Sequence, residues 1–327
     1  MKREEERNEA RDAEAVLGIN YGLLGDNLPA PKDVIKLIRE KGIKGVRIFE
    51  PNHEVLEALR GNDIIVSVGV KNGDLVNLAQ SREAADNWIQ ENYVPYYKDV
   101  FIDYITVGNE VIPGPYAQYV FPAIRNLDAS FRAAGLYENI KITTVVPTNV
   151  LGTSYPPSSG AFSNESASFM SDIIKYLTSE VSPIMVNVYP YFALVSDPTK
   201  ISLDYALFQS PTPIFMDQGL AYYNLYDAML DAFLAAAYRV TGGKDVAIVV
   251  SETGWPSAGN PTYATIDNAR IYNNNLKKAF RKGTPRTPGL ARDTFIFAMF
   301  NEDLKPQGVE QNFGSFYPNM KPVYPLW

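Results

Sequence analysis

A single-domain (β/α)8 barrel of the α/β class, the TIM-barrel arrangement, is predicted by three features of this 327-residue chain. Eight short β-branched or aromatic runs alternate with seven amphipathic stretches rich in Ala, Leu, Lys and Glu, a rhythm that implies parallel strands joined by helical crossovers. No Pro-, Gly- or Ser-rich linker divides residues 16–327. The glycines after the first strand, Gly22-Leu23-Leu24-Gly25, lack the G-x-G-x-x-G spacing that an open doubly wound sheet usually carries there.

The strand-like runs are 16–21, 45–49, 64–70, 101–107, 142–146, 184–188, 247–251 and 294–300. Helices are predicted over 30–41, 54–60, 81–98, 116–134, 166–178, 224–240 and 265–282. Pro31 at the start of the first helix and Gly42 just past its end fit the preference for early proline and late glycine. The longest irregular stretch, 147–164, follows the fifth strand, where a barrel builds the walls of its site. Residues 1–15 stand apart: ten are charged, and the expectation is an exposed helix or a disordered extension. They lack the apolar stretch of a secretory signal, so the chain as written reads as cytoplasmic or recombinant.

Composition narrows the chemistry. The chain has no Cys and one His, His53, so thiol nucleophiles, disulfides and Cys/His metal sites are excluded, and no metal or other cofactor is expected. Lys and Arg number 30 against 37 Asp and Glu, a formal charge of −7. That balance argues against a nucleic-acid partner. No run of eighteen apolar residues points to a membrane. A monomer is expected. Hydrolytic chemistry would rest on carboxylates, with Lys, Tyr and Asn in support.

Catalytic groups of such barrels sit at the C-terminal ends of the strands. Four of those ends carry a glutamate: Glu50, Glu110, Glu252 and Glu302. A lone strand-end acid is usually a structural ion-pair partner. Glu110, preceded by Asn109, and Glu252, followed by Trp255, come from strands four and seven on nearly opposite sides of the mouth. One protonated and one ionised carboxyl so placed suit glycosidic bond cleavage. Tyr21, Asn109, Asn187, Tyr189, Phe192, Trp255 and Phe313 are the candidate sugar contacts, aromatic faces for stacking and amides or phenols for hydroxyls. Judged singly, Trp255 is as readily rim packing as a sugar platform, and Phe192 and Phe313 are more readily core or rim. Tyr189 and Tyr191 should face opposite sides if the strand continues through them. His53 reads as a helix-start or surface residue. Asn164-Glu165-Ser166 is a glycosylation sequon, meaningful in a secreted chain.

From Leu17 onward the sequence resembles the plant endo-β-1,3-glucanases of glycoside hydrolase family 17. The resemblance rests on Val107-Gly108-Asn109-Glu110, Asn187-Val188-Tyr189-Pro190-Tyr191-Phe192 and Val250-Ser251-Glu252-Thr253-Gly254-Trp255-Pro256. Phe297-Ala298-Met299-Phe300-Asn301-Glu302, Asn312-Phe313-Gly314 and Lys321-Pro322-Val323-Tyr324-Pro325 add to it. It implies retaining cleavage of internal β-1,3 bonds in a β-glucan, with Glu110 as acid/base and Glu252 as nucleophile. It also implies a supporting charged cluster of Glu302, Lys305 and Glu310, Tyr189 as the inward tyrosine, and an extracellular or vacuolar location. The chain departs from the family at Asn20, where Cys is usual, at Phe49-Glu50 for Tyr-Asp, and at Thr253 for Ser. With the charged start, these departures read as redesign. A glucan-binding or inactive barrel and a glucanosyl transferase are the competing functions; the last would use the same two glutamates.

Overall fold

The computed structural model describes residues 15–138 and 140–327, so the expected extension over 1–15 falls outside the described residues except for Ala15. Eight parallel strands close the barrel: β1 (Leu17–Asn20), β2 (Gly45–Ile48), β3 (Ile65–Val70), β4 (Phe101–Asn109), β5 (Lys141–Pro147), β6 (Ile184–Asn187), β7 (Ile248–Thr253) and β8 (Thr294–Ile296). Each pairs with its neighbours in chain order, and β8 closes on β1 with Leu17 opposite Thr294. The single-domain barrel predicted from the sequence is therefore the fold.

The strands are apolar because both faces are covered. Their outer residues, such as Ile19, Val46, Val68 and Val186, pack under the helices. Helix caps match the sequence: Asn52, Ser81, Ser202, Asn224 and Thr265 each accept a backbone N–H through the side chain. The long helices Ala117–Ala133, Ala167–Ser179, Leu225–Val240 and Ile266–Ala279 lie where they were expected. The helix placed over 81–98 is shorter, Arg82–Asn92, and a separate helix, Leu75–Gln80, precedes it. The eighth strand stops at Ile296 rather than 300. Beyond it the chain bonds to the 313–316 segment, with Ala298 N–H donating to Phe313 O and Ser315 N–H to Ala298 O.

Inside, the barrel is layered. Tyr104, Val145, Met185, Val249 and Phe295 form an apolar floor. Phe295 reaches across because Gly18 has no side chain; a Cβ there would lie 2.5 Å from its ring. Above the floor comes a buried polar layer containing Asn20, Arg47, Ser67, Asn187, Ser251 and Glu252. At the mouth sits a third, aromatic layer of Phe297, Ala298 and Phe313 with Phe49 and Tyr189 against it.

Candidate active site

The two glutamates reach the mouth through irregularities in otherwise regular strands. Pairing of β4 with β5 slips between Thr106 and Asn109, and pairing of β7 with β6 slips between Val250 and Glu252. Such bulges re-aim a side chain without ending the strand. Glu110 itself has a left-handed backbone, φ 55°, a conformation that costs a non-glycine residue energy and is found at sites where the surroundings enforce it.

Glu252 is buried and held at both oxygens. Its Oε1 accepts from Arg47 Nη1 at 2.6 Å, and its Oε2 accepts from the Tyr189 hydroxyl at 2.8 Å. Desolvation, then the negative charge of Glu252, push the Tyr189 phenol well above its ordinary value, so it remains a donor. Arg47 is wholly buried and shares its other hydrogens: Nη1 also donates to Asn20 Oδ1 at 3.0 Å, and Nη2 to Asn109 Oδ1 at 2.7 Å. Its guanidinium lies 4.5 Å from the centre of the Phe49 ring. Asn20 is fixed in turn, donating through Nδ2 to the carbonyls of Ser251 and Phe295. A cation this deep is tolerated only because a carboxylate and two amide oxygens meet it.

Glu110 has a different setting. Asn187 Nδ2 donates to its Oε1 at 2.8 Å, and Ser251 Oγ donates to Asn187 Oδ1 at 2.6 Å, fixing which way the amide points. The residue is accessible from the cleft, yet the walls around the carboxyl displace water. That desolvation and the charge of Glu252 raise its pKa against the lowering pull of Asn187 and Arg47, with Glu310 adding a smaller upward push.

Both glutamates line a cleft of about 1030 Å³ that also takes in Asn187, Tyr189, Phe192, Phe297, Glu310 and Phe313, and runs to Tyr155, Ile214 and Phe215. Phe192 is 41% exposed. The far wall is the irregular stretch after β5 tied to the hairpin of Phe215–Asp217 and Leu220–Tyr222: Asp217 accepts from Ser158 N–H at 2.7 Å and Ser158 Oγ at 2.8 Å.

Two sequence-based assignments need correction. Trp255 is 0% exposed, packs on Tyr191 and Tyr272, and donates Nε1–H to Tyr263 O, so it faces the shell of the barrel and presents nothing to the cleft. Tyr21 is also buried, against Phe300. Asn20 points inward, and its neighbour on the strand must point outward. Phe313 lines the cleft but is nearly buried, packed against the rings of Tyr189, Phe192 and Phe297. The side-chain Oδ1 of Asn109 accepts from Arg47 Nη2.

Two members of the expected charged cluster are paired. Glu302 Oε2 lies 3.0 Å from Lys305 Nζ and its Oε1 accepts Leu24 N–H, while Lys305 stands over the Phe297 ring. Glu310 lines the cleft. The cation bonded to Glu252 is Arg47, which the sequence reading passed over inside an apolar run. The signal was there: an arginine in a barrel strand covered on both sides requires a buried anion. His53 opens the helix His53–Leu59, with Nδ1 2.7 Å from the Tyr96 hydroxyl. Tyr189 and Tyr191 are not strand neighbours, since a helix, Pro190–Ser196, begins between them. Thr253 keeps its hydroxyl occupied, 2.5 Å from that of Tyr272. Among the described residues no group of three His, Cys, Asp or Glu side chains is arranged to hold a metal ion, and no helix is long and apolar enough to cross a membrane.

A barrel mouth with two carboxylates in contrasting settings, inside an aromatic-walled cleft, defines a glycoside hydrolase. Residues 17–326 match the glycosyl hydrolases family 17, and the chain belongs to that family. It is 45% identical over 315 residues to a glucan endo-1,3-β-glucosidase of Vitis vinifera, covering 95% of this chain and 91% of that one. It superposes on the β-1,3-glucanase and pollen allergen CJP38 of Cryptomeria japonica with a TM-score of 0.92 at 45% identity, over 95% and 98% of the two chains. One of the plant β-glucan endohydrolases solved as a pair with distinct substrate specificities gives a TM-score of 0.91 at 43% identity, over 95% and 99%.

Proposed function

We propose that this enzyme hydrolyses internal β-1,3-glucosidic bonds of β-glucans with retention of configuration, Glu252 acting as nucleophile and Glu110 as acid/base. The observation that carries the assignment is the asymmetry of donors. Glu252 receives one hydrogen bond from a cation and one from a phenol, which favours the ionised form. Glu110 receives a single amide hydrogen bond and is raised by desolvation, which favours the protonated form.

In the first step a carboxylate oxygen of Glu252 bonds to the anomeric carbon. The glycosidic C–O bond breaks, and the Glu110 proton passes to the departing oxygen. In the second step Glu110, now a carboxylate, takes a proton from water. The water oxygen bonds to the anomeric carbon and Glu252 leaves. A cleft that continues past both carboxyls toward Tyr155 and Phe215 suits a polymer bound along its length. The names of relatives on two sides of the comparison, sequence and structure, support the β-1,3 linkage.

The test is release of reducing ends from a soluble β-1,3-glucan, with the anomer formed first read by NMR. Glu252→Gln and Glu110→Gln are each expected to lose at least ~10³-fold in kcat with the fold intact. Full activity in either variant, or an initial α-anomer, would sink the assignment. Products longer than the substrate would mark glucanosyl transfer.

A further inference from the structure

The end of β4 has a support from outside the strand. Asn72 follows β3 in the short helical turn Asn72–Asp74, and its side-chain amide grips the backbone of Asn109 from both sides. Asn109 N–H donates to Asn72 Oδ1 at 2.8 Å, and Asn72 Nδ2 donates to Asn109 O at 3.0 Å. The β3–β4 ladder ends at Val70 opposite Val107, and pairing of β4 with β5 slips between Thr106 and Asn109. At Asn109, therefore, β3 offers no backbone partner, and one carboxamide stands in for the missing peptide group. On the other side Glu110 N–H donates to Val145 O. Glu110, which follows directly on these anchors, carries the candidate acid in a left-handed conformation, φ 55°.

From this geometry, and resting on the role proposed for Glu110, we infer that Asn72 is a positioning residue for the acid/base carboxyl. Asn72 is exposed and outside the residues lining the cleft, so its effect passes through the Asn109 backbone. The same grip aims Asn109 Oδ1 at Arg47 Nη2, which ties the acid's strand to the cation on Glu252. Two solvent-exposed hydrogen bonds add little to global stability, whereas a catalytic group displaced by about 1 Å can cost ~10²-fold in rate. Removal of the amide should therefore move catalysis more than it moves unfolding.

The experiment compares wild type, Asn72→Ala and Asn72→Asp on two substrates: a soluble β-1,3-glucan, whose leaving sugar needs a proton, and 2,4-dinitrophenyl β-laminaribioside with added azide. The dinitrophenolate leaves without protonation, and azide attacks the glycosyl-enzyme without a base, so the second assay bypasses Glu110. For Asn72→Ala the expected result is a fall of about tenfold in kcat on glucan with KM within about twofold and little change in Tm, and near wild-type turnover in the second assay. Asn72→Asp, which keeps the acceptor for Asn109 N–H, should fall between. Equal loss on both substrates, or no loss on glucan, overturns the inference. A wild type inactive on both substrates would instead refute the proposed function. A crystal structure of Asn72→Ala then decides the positioning claim: an unmoved Asn109–Glu110 backbone overturns it, and a displaced one upholds it.

Discussion

The mouths of β7 and β4 carry the same side chain in opposed surroundings. At β7, Glu252 is buried beneath a guanidinium and a phenol, each giving a hydrogen to a different oxygen. At β4, Glu110 is reachable from the cleft, takes one hydrogen from an amide and feels the charge of its partner. The difference lies in how the fold places donors around one residue type, and the proposed division of roles rests on it. Asn187 and Arg47 stitch the two settings together: Asn187 joins Glu110 to β7 through Ser251, and Arg47 joins Glu252 to β4 through Asn109.

The strongest way to break this contrast is to remove its cation. Arg47→Met, close in shape and uncharged, should lower kcat on β-1,3-glucan by about 10²–10³-fold, because Glu252 loses its charged donor in a site closed to water. A fall of less than tenfold would show that the guanidinium contact to Glu252 matters little to turnover. Removing the phenol is milder: Tyr189→Phe should cost about 10- to 100-fold in kcat, the worth of one hydrogen bond to a charged group.

Phe192→Ala and Trp255→Ala separate cleft from shell. Loss of the exposed Phe192 ring should raise KM on long glucan by about 2- to 10-fold with little change in stability, if the ring stacks on sugar. Loss of the buried Trp255 should cost about 3–5 kcal/mol of stability, read as a lowered midpoint in denaturant. The smallest effect concerns Glu110. Its carboxyl is raised in the folded protein, so ionising it opposes folding as pH climbs above the ordinary carboxylate range, and no such cost exists below that range. Glu110→Gln should accordingly melt about 1–2 °C above wild type at pH 7, with the gap closing by pH 4.

Much of this was readable before any coordinates. The alternation of strand and helix gave the barrel, and the strand-end rule gave Glu110, Glu252, Asn187 and Tyr189 as residues that would meet. What stayed hidden was side-chain direction. Tyr21 lies next to the inward-facing Asn20, and a motif does not reveal which neighbour turns out, nor that Trp255 packs away from the cleft on Tyr191 and Tyr272. Arg47 was overlooked for the opposite reason. Apolar flanks made 45–49 read as plain strand, although a charge there could only be buried and paired. Asn72 could not have been found from sequence, because its meaning depends on a ladder that ends two residues before Asn109.

The Phe295 floor has one more consequence. Tyr104, Val145, Met185, Val249 and Phe295 seal the barrel below the polar layer, so among the described residues the polar layer is reached from the mouth, where the proposed substrate would lie. On the mechanism proposed above, the water of the second step would come in beside the bound chain, through the space the departing sugar has just vacated. Whichever molecule first fills that doorway, water or another sugar hydroxyl, writes the product. The partition between shortening a glucan and lengthening one thus becomes a matter of traffic at the groove, with the catalytic pair indifferent to the outcome.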